Sequence, residues 1–186
     1  MKKVTLITVC IFAFTCNNSF SQQSKRTLAV PFHGQGYTYW CWAASAAMVL
    51  DYEFGQNNYV CTVVSNYLAI GGIYIDCCQF PALCNGGVSS TDIYNYLNRH
   101  TNYSFIKENR ALEFDEIKDQ IDNGHPLIVL LRGNSGYIGH AITIVGYNEA
   151  NNNVRVFDPA AGKSWLKYEK VLKYAGLKWK STIYHD

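Results

Sequence analysis

Cys41 has the sequence setting of a nucleophile. It stands directly before Trp42–Leu50, an apolar stretch in which Ser45 is the only polar residue. Because a helix that is apolar on all sides is a buried helix, we expect one from Cys41 to Phe54, ending at Gly55. The N–H groups of a first helical turn lack internal partners and favour an anion, so a thiolate is stabilised there. A cysteine in an apolar run is otherwise an inert core residue, and other residues must decide between the two interpretations.

Gln35 precedes Cys41 by six residues. A side-chain amide at this offset can return to the cysteine and donate a hydrogen bond. Together with the Cys41 backbone N–H it would form an oxyanion hole with two donors. Gln35 is therefore the predicted donor for the charge that develops when a thiolate attacks a carbonyl group.

His140 is the predicted base. A cysteine nucleophile needs a base within hydrogen-bond reach, and that base needs an acceptor that orients it. His140 follows Gly139 at the start of an apolar segment that predicts a strand. The next predicted strand runs back through a hairpin at Asn151–Asn153 and ends at Asp158. His140 and Asp158 are then expected at the same end of two antiparallel strands, where the carboxylate can accept from the imidazole.

The other four histidines have settings without a catalytic role. We expect His33 and His185 in polar surroundings near the chain ends, with His33 on a surface loop. His100 ends a predicted helix, where a charged imidazole suits the helix dipole. His125 precedes Pro126 and is expected in a turn.

Residues 1–21 have the pattern of a signal peptide. Two lysines follow Met1, an apolar run extends over Val4–Cys16, and Ser19-Phe20-Ser21 offers small residues to a signal peptidase. The apolar run is too short for a membrane-spanning stop-transfer helix. We therefore expect an exported protein, secreted or periplasmic, with one mature domain over residues 22–186.

Five of the seven cysteines lie in the predicted mature chain, so one thiol is left unpaired if the others form disulfides. Cys61, Cys77, Cys78 and Cys84 cluster within 24 residues, which predicts two disulfides among them and a free Cys41. Because a bridge between Cys77 and Cys78 would be strained, each should pair with Cys61 or Cys84, in either order. Adjacent cysteines rarely both ligate one zinc ion, so no metal and no other cofactor is expected.

The remaining patterns predict an α+β fold, because helices come first and strands follow. Apolar spacing predicts the Cys41 helix, a helix over Val60–Leu68, one beginning at Ser89 and one over Phe114–Ile121. Strands are expected at Pro126–Leu131, His140–Tyr147, Val154–Phe157 and Lys178–Tyr184, with a mobile turn at Gly133–Gly136 and a short helix over Trp165–Tyr174. The net charge of +2 is scattered without a basic stripe, which argues against nucleic acid as a partner.

These residues together resemble a papain-like cysteine peptidase of the compact bacterial secreted type. The matching positions are Gln35, Cys41-Trp42-Ala43, Gly139-His140-Ala141 with Val145-Gly146-Tyr147, and Asp158. The resemblance implies a two-lobed fold, in which a helical lobe with the buried Cys41 helix packs on an antiparallel β-sheet lobe that carries His140. The site would lie in the cleft between the lobes.

The resemblance also implies the activity. Cys41, His140 and Asp158, with Gln35 as oxyanion donor, would hydrolyse peptide bonds as a cysteine-type endopeptidase. The expected partners are a peptide or protein substrate and a protein inhibitor, and the mature protein is expected to be a monomer without a membrane partner. Two alternatives remain open: a cell-wall amidase or acyltransferase with the same Cys–His machinery, and a non-catalytic binding module derived from a peptidase.

Overall fold

The computed structural model describes residues 24–101, 103–133 and 139–186, so the predicted signal peptide lies outside the described residues. Five α-helices are present within these ranges: α1 Cys41–Phe54, α2 Val60–Ile70, α3 Ser90–His100, α4 Phe114–Asp122 and α5 Tyr168–Leu172. Short 3-10 turns occupy Pro81–Cys84 and Glu149–Asn151. No helix among the described residues is long and apolar enough to cross a membrane.

In the described part of the chain, eight strands form one antiparallel sheet. Their bounds are β1 Lys25–Thr27, β2 Phe105–Glu108, β3 Leu127–Arg132, β4 Gly139–Asn148, β5 Asn153–Asp158, β6 Gly162–Lys167, β7 Lys173–Tyr174 and β8 Leu177–His185. The main order across the sheet is β2-β8-β3-β4-β5-β6, with β1 paired to β4 and β7 paired to β8. The predicted α+β class is therefore confirmed, with the helices α1 to α3 forming one lobe and the sheet forming the other.

Local sequence explains the helix boundaries. Helix α1 ends at Gly55, which adopts the left-handed conformation that glycine reaches without steric cost. Ser89, where the sequence predicted a helix to begin, caps α3 through a reciprocal pair of hydrogen bonds with Asp92. The acidic residues in the first turn of α4 stabilise it by interacting with the positive end of the helix dipole.

Two predictions about elements were wrong or incomplete. Trp165 lies in strand β6, and the helix expected over Trp165–Tyr174 is confined to α5. The sequence also missed β1 and β2, which have three and four residues and gain their hydrogen bonds from distant partners, β4 and β8. The turn predicted at Gly133–Gly136 lies largely outside the described residues, because 134–138 are not described.

Helix α1 lies between the two hydrophobic cores. Most of its buried side chains join α2, α3 and the inner residues of β3 in one core. Met48 instead contacts the second core, in which α4 packs against the sheet. Because α1 also packs against β3 and β4, the position of its first residue is fixed relative to the sheet.

Candidate active site

Cys41 is the first residue of α1 and is half-buried. The residue before it, Trp40, occupies the N-cap position, and its side chain makes no capping hydrogen bond to the first turn. The orphan N–H groups of the first turn therefore receive no acceptor from the capping side chain, and their partial positive charge acts near the Cys41 sulfur. Among the described cysteines, Cys41 is the one with a free thiol.

His140 and Asp158 form a close pair on neighbouring strands. His140 is the second residue of β4, Asp158 is the last residue of β5, and His140 Nε2 lies 2.7 Å from Asp158 Oδ1. Nδ1 is not the nitrogen that contacts Asp158, and Cys41 lies in the same groove and near enough to act on the pKa of the imidazole. The structure thus brings together Cys41, His140 and Asp158 from three separate elements.

The electrostatics of the pair favour an imidazolium. Burial lowers the pKa of His140, but hydrogen bonds to Asp158 and Cys41, together with their charges, outweigh it and raise the pKa to about 9. Burial alone would raise the pKa of Asp158. Hydrogen bonds from His140 and from the Ala160 N–H reverse that effect and lower it below its usual value. Both shifts favour a positively charged ring beside a negatively charged carboxylate.

Asp158 is held by more than the histidine. It is 3% exposed, and its Oδ1 also accepts from the Ala160 backbone N–H at 2.8 Å. Its Oδ2 accepts from the Tyr174 hydroxyl at 2.8 Å. Burial and this hydrogen bond raise the pKa of Tyr174 to about 12, so the phenol stays protonated as a donor. Tyr174 is a positioning residue that the sequence analysis missed, because nothing near it in the chain pointed to Asp158.

Gln35 lies in the loop before α1, and its backbone ties this loop to the Asp158 turn. The Gln35 N–H donates to the Pro159 carbonyl oxygen at 3.0 Å. Its side-chain Nε2 donates to the Thr38 carbonyl oxygen at 3.0 Å, while Oε1 is buried and has no hydrogen-bond partner among the described residues. The bond to Thr38 uses one N–H of the side-chain amide, and the second N–H can donate to another acceptor. The bond to Pro159 holds the Gln35 backbone beside the residue that follows Asp158. The role of the Gln35 side chain as an oxyanion donor stays a prediction.

A groove between the lobes contains both Cys41 and His140. One wall comes from the loop before α1 and from residues 85–90, and the other comes from the ends of β3 and β4. The residues at the surface of this groove include Thr38, Tyr39, Asn85, Gly86, Gly87, Val88, Leu131 and Arg132. A polypeptide in this groove would pass the Cys41 sulfur.

Two disulfides stabilise the wall beside Cys41. They join Cys61 to Cys78 and Cys77 to Cys84, which is one of the two pairings that the sequence left open. Residues 84–86 are bound to residues 39–42, around the start of α1, by three hydrogen bonds. The Tyr39 backbone N–H donates to Asn85 Oδ1 at 3.0 Å. Trp40 Nε1 donates to the Cys84 carbonyl oxygen at 3.0 Å, and Trp42 Nε1 donates to the Gly86 carbonyl oxygen at 3.2 Å.

The expectations for the other histidines need correction. His33 is half-buried rather than a surface residue, and its Nε2 lies 2.7 Å from Oδ2 of Asp51, whose side chain is 5% exposed. His185 lies among the aromatic rings of Phe54, Tyr103 and Phe105 and contacts Glu53. His100 does end α3, but burial lowers its pKa, so it does not act as the expected charged residue.

The family of the chain follows from its sequence as a whole. A model described as the Peptidase_C39 like family matches residues 20–184. The chain belongs to this family. The match spans both lobes and every residue of the candidate site, and it makes the protein a papain-like cysteine peptidase. A comparison with curated proteins finds no match.

Solved structures agree with this family in fold. A C39-like peptidase from Bacillus anthracis superposes with a TM-score of 0.55 at 15% identity, over 87% of this chain and 97% of that one. The peptidase domain of Streptococcus ComA gives 0.58 at 16% identity, over 83% and 96%. A double glycine motif protease from an AMS/PCAT transporter, in complex with a leader peptide, gives 0.54 at 16% identity, over 86% and 93%. At these identities the likeness shows the fold, which is the two-lobed papain-like fold that the sequence predicted.

Proposed function

We propose that this C39-like peptidase is an endopeptidase that cleaves peptide bonds with Cys41 as nucleophile and His140 as its acid–base partner. The observation that carries the proposal is the convergence of three groups. Cys41 stands at an uncapped helix start, next to an imidazole whose far nitrogen lies 2.7 Å from the buried Asp158 carboxylate. Such a set has a nucleophile, a base and an orienting acceptor.

The proposed reaction begins with a Cys41 thiolate and a His140 imidazolium. The sulfur attacks the peptide carbonyl, an S–C bond forms, and the oxygen becomes an oxyanion that Gln35 Nε2 and the Cys41 N–H stabilise. His140 gives its proton to the leaving nitrogen as the C–N bond breaks. Water then attacks the acyl-enzyme and gives a proton to His140, and the S–C bond breaks to restore the thiolate.

A peptide substrate suits the groove and the fold. One structural neighbour was solved in complex with a leader peptide, which supports a peptide as the substrate of this chain. We propose a peptide or protein substrate that lies along residues 85–90 and the ends of β3 and β4. A protein inhibitor that occupies the same groove is the further partner in this proposal.

The proposal includes export and a monomeric mature protein. Residues 1–21 are proposed to act as a signal peptide, and residues 22–186 as the peptidase domain, secreted or periplasmic. The pairing of Cys61, Cys77, Cys78 and Cys84 in two disulfides supports an oxidising compartment, since such bonds persist there.

The test compares the purified mature protein with Cys41→Ala and with His100→Asn, a half-buried histidine of α3 outside the groove. We expect the wild type and His100→Asn to cleave casein and members of a peptide library at internal bonds, and Cys41→Ala to cleave none. An iodoacetamide adduct on Cys41 should abolish the activity.

The substrates separate this proposal from its alternatives. Hydrolysis of purified peptidoglycan without cleavage of casein or peptides would replace the peptidase by a cell-wall amidase. Failure of the wild type to react with iodoacetamide at Cys41, together with no turnover, would indicate a binding module instead.

A further inference from the structure

Two histidines and a glutamate converge at the end of α1 that is remote from Cys41. Glu53 lies in the last turn of α1, His125 lies between α4 and β3, and His185 is the last residue of β8. Glu53 is twelve positions after Cys41 in the same helix, which corresponds to roughly 18 Å along its axis. The cluster is therefore separate from the candidate active site.

The three side chains already contact one another. His125 Nδ1 lies 3.1 Å from Glu53 Oε1, and His185 Nδ1 lies 3.3 Å from Glu53 Oε2. The two imidazole rings are 5.0 Å apart and nearly perpendicular. One potential ligand atom from each residue lies within 4.8 Å of the others. In a tetrahedral zinc site such atoms are about 3.3 Å apart, given bonds of about 2 Å, so side-chain rotations would bring them together.

The carboxylate in this cluster has an unusual set of partners. The Glu53 side chain is 8% exposed, and among the described residues its ion pairs are with His125 and His185 rather than with a lysine or arginine. A buried carboxylate is costly unless a positive charge compensates it. A divalent cation would supply that charge and would let both imidazoles stay neutral, which is the form that ligates metals.

The surroundings hold the ligands in place and leave an entrance. The His185 ring packs against Phe54, Tyr103 and Phe105, with ring centroids between 5.4 and 5.6 Å away. The backbone N–H of His125 donates to the Gln120 carbonyl oxygen at 2.9 Å. Both imidazoles are nevertheless partly exposed, at 23% and 16%, so an ion could reach them from solvent.

We propose that Glu53, His125 and His185 bind a Zn²⁺ ion. Two imidazoles and one carboxylate are a ligand set that zinc accepts, with a water in the fourth position. The ion would join the end of α1 to β8 and to the segment before β3, and would thereby fasten the helical lobe to the sheet lobe. Because such a site exists only in the folded chain, zinc should raise the thermal stability of the protein.

The experiment uses the mature chain carrying Cys41→Ala, so that the active-site thiol cannot bind the metal. The protein is freed of metal with a chelator, dialysed and titrated with ZnSO₄ by isothermal calorimetry, and its Tm is measured with and without zinc. We expect one equivalent to bind and Tm to rise. His125→Asn and His185→Asn should each weaken binding at least tenfold and remove most of the rise in Tm. His100→Asn, a half-buried histidine outside the cluster, is the matched control and should change neither.

Cobalt keeps the test decisive where a ligand variant fails to fold. Co²⁺ added to the otherwise unchanged Cys41→Ala chain should give the visible absorption of a four-coordinate ion, and one equivalent of zinc should displace it. Absence of zinc binding and of this absorption would overturn the proposal. Binding that the His125 and His185 variants retain at full affinity would overturn it as well, because the metal would then lie elsewhere.

Discussion

The Asp158 carboxylate accepts three hydrogen bonds. Its Oδ1 accepts from His140 and Ala160, and its Oδ2 accepts from Tyr174. In Asp158→Asn, a retained Oδ1 can still accept from His140 Nε2 and the Ala160 N–H. The new amide can then donate to the Tyr174 oxygen, because a hydroxyl can also accept. The site can therefore accommodate the amide with its hydrogen bonds satisfied.

We predict that Asp158→Asn keeps much of the activity and that Asp158→Ala loses clearly more. A preformed imidazolium carries both ring protons, so the ring needs an acceptor at its far nitrogen rather than a charge. Loss of the carboxylate charge should lower the pKa of His140 and move the alkaline limb of the kcat/KM profile towards lower pH. The profiles of both variants against pH measure this. If Asp158→Asn and Asp158→Ala lose the same amount of activity, then either Asp158 acts through its charge rather than by orienting His140, or Asp158 is not the third member of the site.

We predict that Gln35→Ala lowers kcat by about 10²–10³-fold, the usual cost of losing one oxyanion donor. The fold should survive, because the Gln35 backbone N–H, which bonds to Pro159, is kept and only the side-chain bond to Thr38 is lost. Single-turnover kinetics and a thermal melt would measure the two effects. An unchanged kcat with normal folding would remove Gln35 from the mechanism.

The site residues differ in how visible they were in the sequence. Cys41 and His140 stand beside apolar runs that mark a buried helix and a buried strand, so local pattern exposed them. Tyr174 and the partners of His33 and His185 depend on contacts between distant segments. His185 and Glu53, for example, are 132 positions apart, and no local pattern encodes that proximity.

At the level of elements, strand length decided what could be predicted. Helices α1 to α4 have nine or more residues and lie where the sequence placed them. Helix α1 was predicted from a continuous apolar run, and α2 to α4 from the spacing of their apolar residues. Strands β1 and β2 are too short to show a period, and they exist because β4 and β8 offer them hydrogen-bonding edges. The helix predicted over Trp165–Tyr174 included the last three residues of β6, whereas the helix itself is limited to α5.

Strand β1 approaches the sheet at a position where only glycine fits. Gly146 of β4 pairs with Thr27, and a Cβ on Gly146 would lie 2.5 Å from the Arg26 carbonyl oxygen and 2.9 Å from Thr27 Cα. These are backbone atoms, so they cannot rotate away. A side chain at Gly146 must therefore push β1 off the sheet.

We predict that Gly146→Ala destabilises the protein by about 1–3 kcal/mol, as other overpacked sites do. The matched control is Gly87→Ala, because a Cβ on Gly87 would meet no atom within 4 Å and should change stability by less than about 0.5 kcal/mol. Urea unfolding monitored by tryptophan fluorescence gives both values. Equal midpoints for the two variants would show that β1 moves without cost.

For the molecule as a whole, the candidate site depends on the packing of the two lobes. Cys41 comes from the helical lobe, whereas His140 and Asp158 come from the sheet. Unfolding separates these groups, so the pKa of His140 must fall from about 9 to its ordinary value of 6.5 as the chain unfolds. Protonation of His140 is thereby linked to the stability of the fold.

The direction of this linkage gives the last prediction. Between pH 6.5 and about 9 the folded chain binds more protons at His140 than the unfolded chain does, so the contribution of His140 to stability must decrease as pH rises. The contribution is fully present below pH 6.5 and amounts to at most about 3 kcal/mol.

In His140→Gln this contribution is absent, so the difference in the free energy of unfolding between wild type and this variant should shrink from pH 6 to pH 9. His100→Gln is the control. Because burial lowers the pKa of His100, its effect should vary with pH only below about 6.5. Urea unfolding at pH 6, 7.5 and 9 measures both differences. If the wild type and His140→Gln differ by the same amount at all three pH values, His140 adds no net proton uptake on folding and this prediction is wrong.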